Sequence, residues 1–200
     1  MIRNTKYNYV RVPRSDDDGS RTYVVGKNKL PSVTTILSRT KDQRSLQNWR
    51  QRIGNEQADA IMNLSSKRGT AMHKFIEAHI LEKGYEDLTS LGQQAKTMAN
   101  KIIENCLLPV KEYFGSEVTL YYPGLYAGTT DLICDHNGME TVADFKQSNT
   151  PDLYLQEFTF QGAELRKAKH EFLARLNKYY NIIQEEKHGE SADVELDQGR

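Results

Sequence analysis

Asp131, Asp144 and Lys146 are the residues whose types and spacing could do chemistry. They lie in Gly128-Thr-Thr-Asp131-Leu-Ile-Cys-Asp-His-Asn-Gly-Met-Glu-Thr-Val-Ala-Asp144-Phe-Lys146. This stretch puts one acid inside an apolar strand, then an Asn-Gly turn, then an acid and a lysine two apart on a second apolar strand. Charges are costly on strands that should be buried. Residues two apart on a strand share a face, so Asp144 and Lys146 point one way and Phe145 points into the core. Asp131 can sit across the ladder from them. Two carboxylates so close would repel, and one would take a proton unless a cation lay between them. Hard oxygen ligands favour Mg²⁺ or Mn²⁺. A lysine beside such an ion can orient or deprotonate a water and stabilise charge on a phosphate. The bland reading is a cross-strand salt bridge on a solvent-facing sheet, and spacing alone does not separate the two.

A second group lies upstream. Gly69-Thr-Ala-Met-His73 and Glu77 fall on one helical pattern, and His73 and Glu77, four apart, share a face. The ordinary reading is a half-buried histidine paired with Glu77. Gly69, one turn earlier, allows another segment's backbone to approach closely.

The elements that must position these groups can be read from periodicity. Tyr7 to Val12 and Thr22 to Val25 read as an N-terminal hairpin around Ser15–Ser20. Ser32 is set to cap a helix over Val33–Ser38. Helical spacing runs from Arg44 to Leu64, with a break allowed at Gly54, and again from Ser66 to Lys83, with Gly84 as a stop. A third helix is expected over Leu91–Tyr113, interrupted near Pro109. The period then changes to two. Strands are expected at Ser116–Tyr122, Tyr126–Cys134 and Thr141–Lys146, the last two joined at Asn137-Gly138. A short strand at Tyr154–Phe160 and a helix at Gly162–Gln184, with Leu165, Phe172, Leu176 and Tyr179 inward, complete the expected α+β fold. Residues 1–184 read as a single domain, and 185–200 as a disordered acidic tail.

Composition bounds the partners. The 200 residues suffice for one domain with a real core. Lys+Arg and Asp+Glu both total 27, so bulk charge does not drive the chain onto nucleic acid, although a local basic groove remains possible. The two cysteines, Cys106 and Cys134, cannot hold an iron–sulfur cluster. No apolar run is long enough to span a bilayer, and the start carries no signal-peptide stretch, so a cytoplasmic setting is expected.

Taken in order, Gly69-x-x-x-His73 on a helix, Glu117, Gly128-x-x-Asp131 and Asp144-x-Lys146 resemble the PD-(D/E)XK nuclease superfamily, in its RecB-type exonuclease branch. The chain is similar to short phage nucleases and to the mitochondrial genome maintenance exonuclease. Leu30-Pro-Ser-Val-Thr-Thr-Ile-Leu37, Leu46, Trp49 and Arg68-Gly-Thr-Ala-Met-His73 add to the likeness, which spans about residues 23–150 and 153–180. It implies a restriction-endonuclease-like core, a mixed sheet flanked by helices, with the helices before the sheet forming an arch over the site. It implies that Asp131, Asp144, His73 and the Phe145 carbonyl bind Mg²⁺ or Mn²⁺. It further implies that Lys146 is the catalytic lysine and that Glu117 orients waters or a second ion. The implied reaction is hydrolysis of a DNA phosphodiester to leave a 5′-phosphate, on single strands or free ends. The setting is recombination, repair or genome processing, in the host cytoplasm if the chain is phage-encoded.

The likeness has a gap. The branch continues after its lysine into a helix with Gln-x-x-x-Tyr and a further strand, and no Gln after Lys146 is followed by Tyr four residues on. A catalytically weak or inactive DNA-binding remnant is therefore the alternative. For DNA contact the candidates are Lys67 and Arg68, just before the histidine motif, and the basic segment Arg44, Arg50 and Arg52 around Trp49. Trp49 itself reads more simply as a core residue.

Overall fold

The computed structural model describes residues 1–16, 20–147, 170–184 and 186. Its main sheet has the order β1 (Ile2–Arg3), β5 (Val110–Tyr122), β6 (Tyr126–His136) and β7 (Met139–Ala143). The pair β1–β5 is parallel and the other two pairs are antiparallel, so the sheet is mixed. A second sheet joins β2 (Arg14–Ser15), β3 (Thr22–Val25) and β4 (Asn28–Pro31). The helices are α1 (Val33–Thr40), α2 (Arg44–Ile53), α3 (Asn55–Ile80), α4 (Ser90–Ile102) and α5 (170–184). The architecture is α+β, as the change of period implies.

Local chemistry explains most boundaries. Ser32 caps α1, its Oγ accepting from the Thr35 N–H at 2.9 Å. Gly54, at φ 88°, separates α2 from α3 at the expected break. Asn137 and Gly138 have φ of 54° and 81°, the left-handed pair that a tight hairpin needs. Beyond Gly54, α3 runs unbroken for 26 residues and ends at Ile80, before the expected Gly84 stop.

Three expectations are corrected. Residues 7–12 form no strand. The N-terminal pairing is made by Arg14–Ser15 instead, while Tyr9 packs on Phe114, Val118 and Ile133 and Val12 packs on the Tyr23 cluster. Side-chain packing, not a ladder, holds this strap. The third helix stops at Ile102, passes through a π turn at Ile103–Leu107 and becomes β5 from Val110. Pro109 lacks the N–H that helix continuation needs, and Val110 and Tyr113 find strand partners in His136 and Cys134. The strand expected at Thr141–Lys146 is Met139–Ala143, ending before Asp144. The expectations for Tyr154–Phe160, for residues 162–169 including Leu165, and for the tail apart from Glu186 lie outside the described residues.

The core lies between α3, α4 and the main sheet. Met72, Phe75, Ile76 and Ile80 of α3 meet Ala95 and Ala99 of α4, Leu132 and Cys134 of β6, and Phe145. Burying each large side chain contributes about 1.5–3 kcal/mol, so the second half of α3 is held firmly on the sheet. α5 closes the other end, where Leu176 and Tyr179 pack on Ile36 and the Tyr180 hydroxyl donates to the Leu125 carbonyl at 2.6 Å.

Candidate metal centre

Three elements converge on one point. His73 comes from α3, Glu117 from β5 and Asp131 from β6, and one ligand atom of each lies within 4.8 Å of the others. The His73 Nδ1 stands 3.5 Å from Asp131 Oδ1 and 4.0 Å from Glu117 Oε1. Phe145 is buried behind the ring, 6.3 Å between centroids.

Backbone irregularities build this geometry. Ser116 pairs with Leu132 and Val118 with Thr130, which sets Glu117 across from Asp131. Glu117 is one of three non-glycine residues at positive φ among the described residues, 51°, in the middle of its strand. A Cβ on Gly115 would fall 2.3 Å from Val118 Cγ2, so residues three apart share a face and the alternation slips across Glu117. A side chain held in a left-handed conformation inside a strand is strained, and such strain collects at working sites.

The other irregularity is the end of β7. Its last pair is Leu132 with Ala143, one step short of bringing Asp144 opposite Asp131. In place of that pair, Asp131 Oδ2 accepts the Phe145 N–H at 2.5 Å. The ladder thus stops short of pairing the two acids expected to grip one ion together. Asp144 is exposed, its oxygens accept from Lys146 Nζ at 2.7 Å, and it is not part of the converging group. Asp144 and Lys146 do share a face, with Phe145 in the core, as the two-residue period requires. Phe145 meets Asp131 through its N–H.

Electrostatics follow from the packing. Burial pushes the Glu117 carboxyl up, and the charges of Asp131 and Glu77 push it further; His73 and Arg14 oppose them. Burial also acts to raise Asp131, but the His73 ring, the Phe145 N–H and the positive charges of His73 and Lys146 outweigh it and hold it below the usual range. The hydrogen bond to Asp131 raises His73, against burial and the field of Lys146. Thus Lys146 acts on the centre through its charge while its ammonium rests on Asp144. Glu77, expected as the histidine's partner, acts on Glu117 instead, and His73 turns to the sheet.

The expected DNA-contact residues divide. Arg68 Nε donates to Gln147 Oε1 at 3.0 Å, and Gln147 Nε2 donates to the Ser65 carbonyl. A Cβ on Gly69 would meet Gln147 Nε2 at 3.1 Å, so Gly69 does admit a neighbouring segment. Arg44 is held by Asp42 at 2.6 Å and Arg50 by Asp59 at 2.6 Å. Arg52 and Lys67 are exposed. Trp49 is half-buried, and α2 has no buried residue, so Trp49 is not a core residue. Sequence reading missed Gln147, which bridges the strand end to α3; its adjacency to Lys146 was the only signal.

No protein-family profile matches the chain, and no curated protein matches it significantly.

Proposed function

We propose that the chain is a metal-dependent deoxyribonuclease with a restriction-endonuclease-like core, hydrolysing phosphodiesters of single-stranded DNA or of DNA ends. The observation that carries this reading is the convergence of His73, Glu117 and Asp131 from three separate elements, with the charge of Lys146 reaching the same point. The donor set of two carboxylates and one imidazole suits Mg²⁺ or Mn²⁺. Two neighbouring acids repel each other, which a divalent ion would relieve, and the Asp131 charge adds to burial in raising the Glu117 carboxyl.

Bound there, the ion would polarise a phosphate and lower the pKa of a water. The chain's residues would do the rest. Asp131, fixed by the Phe145 N–H, keeps its charge at neutral pH. His73, backed by Phe145, holds the helix side. Lys146 would leave Asp144 for the phosphate, where its charge offsets the negative charge that builds as water adds to phosphorus and the P–O3′ bond breaks. The products would be a 5′-phosphate and a 3′-hydroxyl.

A second reading is favoured by Asp144 itself. Its pairing with Lys146 and its place outside the ligand group suit a weak or inactive DNA-binding remnant. End-labelled DNA with Mg²⁺ or Mn²⁺ separates the two. Cleavage by the parent, abolished by Asp131→Ala and reduced about 10²–10⁴-fold by Lys146→Ala, supports the nuclease. Binding without cleavage supports the remnant.

A further inference from the structure

We propose that the furrow between the N-terminal strap and β5 seats a single DNA strand and leads it to the metal centre; this rests on the nuclease reading above. Two hollows, about 790 and 590 Å³, lie along the strap. Arg11, Glu117 and Thr119 line both, so the two hollows adjoin along the strap and together make up the furrow. Glu117 belongs to the centre, so the furrow opens onto it.

Charge is segregated along this path. Arg3, Arg11 and Lys83 line the larger hollow, all three are exposed, and none has an ion-pair partner among the described residues. Neighbouring cations are committed: Lys6 to Glu140 and Arg14 to Asp16. Arg14 still acts on Glu117 through its charge. The acids that line the furrow, Glu77 and Glu117, sit where a cation would be held. Phosphates fit the basic stretch, and a divalent ion fits the acidic end.

Aromatic rings select an unpaired strand. Tyr7 and Tyr9 line the larger hollow with their centroids 6.0 Å apart. Tyr7 is fixed edge-on against Phe114 at 5.4 Å, and its hydroxyl donates to Glu140 at 2.7 Å. A duplex hides the faces of its bases, whereas a single strand can lay them on such rings.

The test measures binding of the full chain to fluorescein-labelled oligo(dT) of about twelve nucleotides, by anisotropy over a salt series in EDTA, so that no cleavage intervenes. Arg3→Gln/Arg11→Gln should weaken binding about tenfold and reduce the salt slope by about 1.4, since each single-strand phosphate contact contributes about 0.7. Tyr9→Ala should weaken binding and Tyr9→Phe should retain it, with thermal melts confirming that each variant is folded. The proposal is overturned if the parent does not bind the oligonucleotide, or if the double variant binds it with an unchanged slope. Failures of the two readings look different. Slope loss in a protein that never cleaves upholds the furrow and rejects the nuclease. Cleavage that needs Asp131, with binding untouched by the arginine changes, does the reverse.

Discussion

The two halves of α3 share one backbone and live in different environments. From Ala71 to Ile80, five side chains are buried against α4 and the sheet. From Asn55 to Thr70 only Ala58 is buried, and Ile61, Met62 and Leu64 are 41, 44 and 52% exposed. His73 sits just inside the anchored half. On the nuclease reading His73 is a metal ligand, which must be held to within a fraction of an ångström, and packing on several sides does that. The outer half is braced differently, by Arg50 of α2 reaching Asn55 and Asp59. Little of its stability depends on what it buries. The contrast teaches that precision and reach can be assigned along a single helix by changing only what its faces touch.

Matched truncations in the two halves give the largest expected effect. Met72→Ala removes a fully buried side chain and should destabilise the protein by about 2–5 kcal/mol. Leu64→Ala, on the exposed half, should stay within about 0.5 kcal/mol of the parent. Urea unfolding of both variants measures the difference. Similar losses at the two positions would mean that the outer half is as firmly packed as the inner, and the comparison would fail.

Much of this contrast is not legible in the sequence. Ala71, Phe75 and Ala78 mark a helical face, but the apolar Ile61 and Leu64 continue the pattern outward, and periodicity cannot say that nothing covers them. Local signals fared better: Ser32, Gly54 and Asn137-Gly138 each act on their own backbone, and each falls where it was expected. The shift from helix to strand at Val110 was hidden because Val110 and Tyr113, three apart, fit a helical face as well as a bulged strand. The centre was half legible. His73 stood out by its helical motif, Glu117 through the family resemblance and Asp131 as a charge on an apolar strand, and the three converge. Asp144 stood out for the same reason as Asp131 and does not converge, because a ladder's last hydrogen-bonded pair is set by tertiary fit rather than by residue type. The left-handed Glu117 was not legible either, since nothing in Ser-Glu-Val announces positive φ as Gly or Asn would.

The joint between the halves offers a smaller and sharper test. Gln147 contacts Ser65, Arg68 and Gly69, all at that joint, and it directly follows Lys146. Gln147→Ala should cost about 1–2 kcal/mol, the net worth of two lost hydrogen bonds, one of them to a charged group. On the nuclease reading it should also slow cleavage by about tenfold, since a loosened Lys146 is easily misplaced. Manganese affinity should hold, because the hydrogen bonds of Gln147 among the described residues go to Arg68 and Ser65 and not to His73, Glu117 or Asp131. Isothermal titration with Mn²⁺ beside a cleavage assay checks both halves of this expectation. Equal losses of ion binding and cleavage would place Gln147 within the centre instead of at its hinge.

The anchored half of α3 faces a strand that is itself under strain, and Glu117→Asn measures how much. A non-glycine residue in the left-handed region costs on the order of 1 kcal/mol, and asparagine tolerates it better than glutamate. The exchange also removes a carboxylate that Asp131 and Glu77 both repel. In EDTA the variant should therefore be more stable than the parent by about 0.5–1 kcal/mol, read from its denaturation midpoint. With Mn²⁺ present the order should reverse, because an ion that binds only the folded state stabilises it by RT ln(1 + [L]/Kd), and the variant lacks a ligand. A variant less stable than the parent in EDTA would show that Glu117 is there for packing, and that its backbone is not held for the sake of an ion. A crossing of the two stabilities with metal would tie the irregular strand to the same chemistry that fixes His73 on the rigid half of its helix.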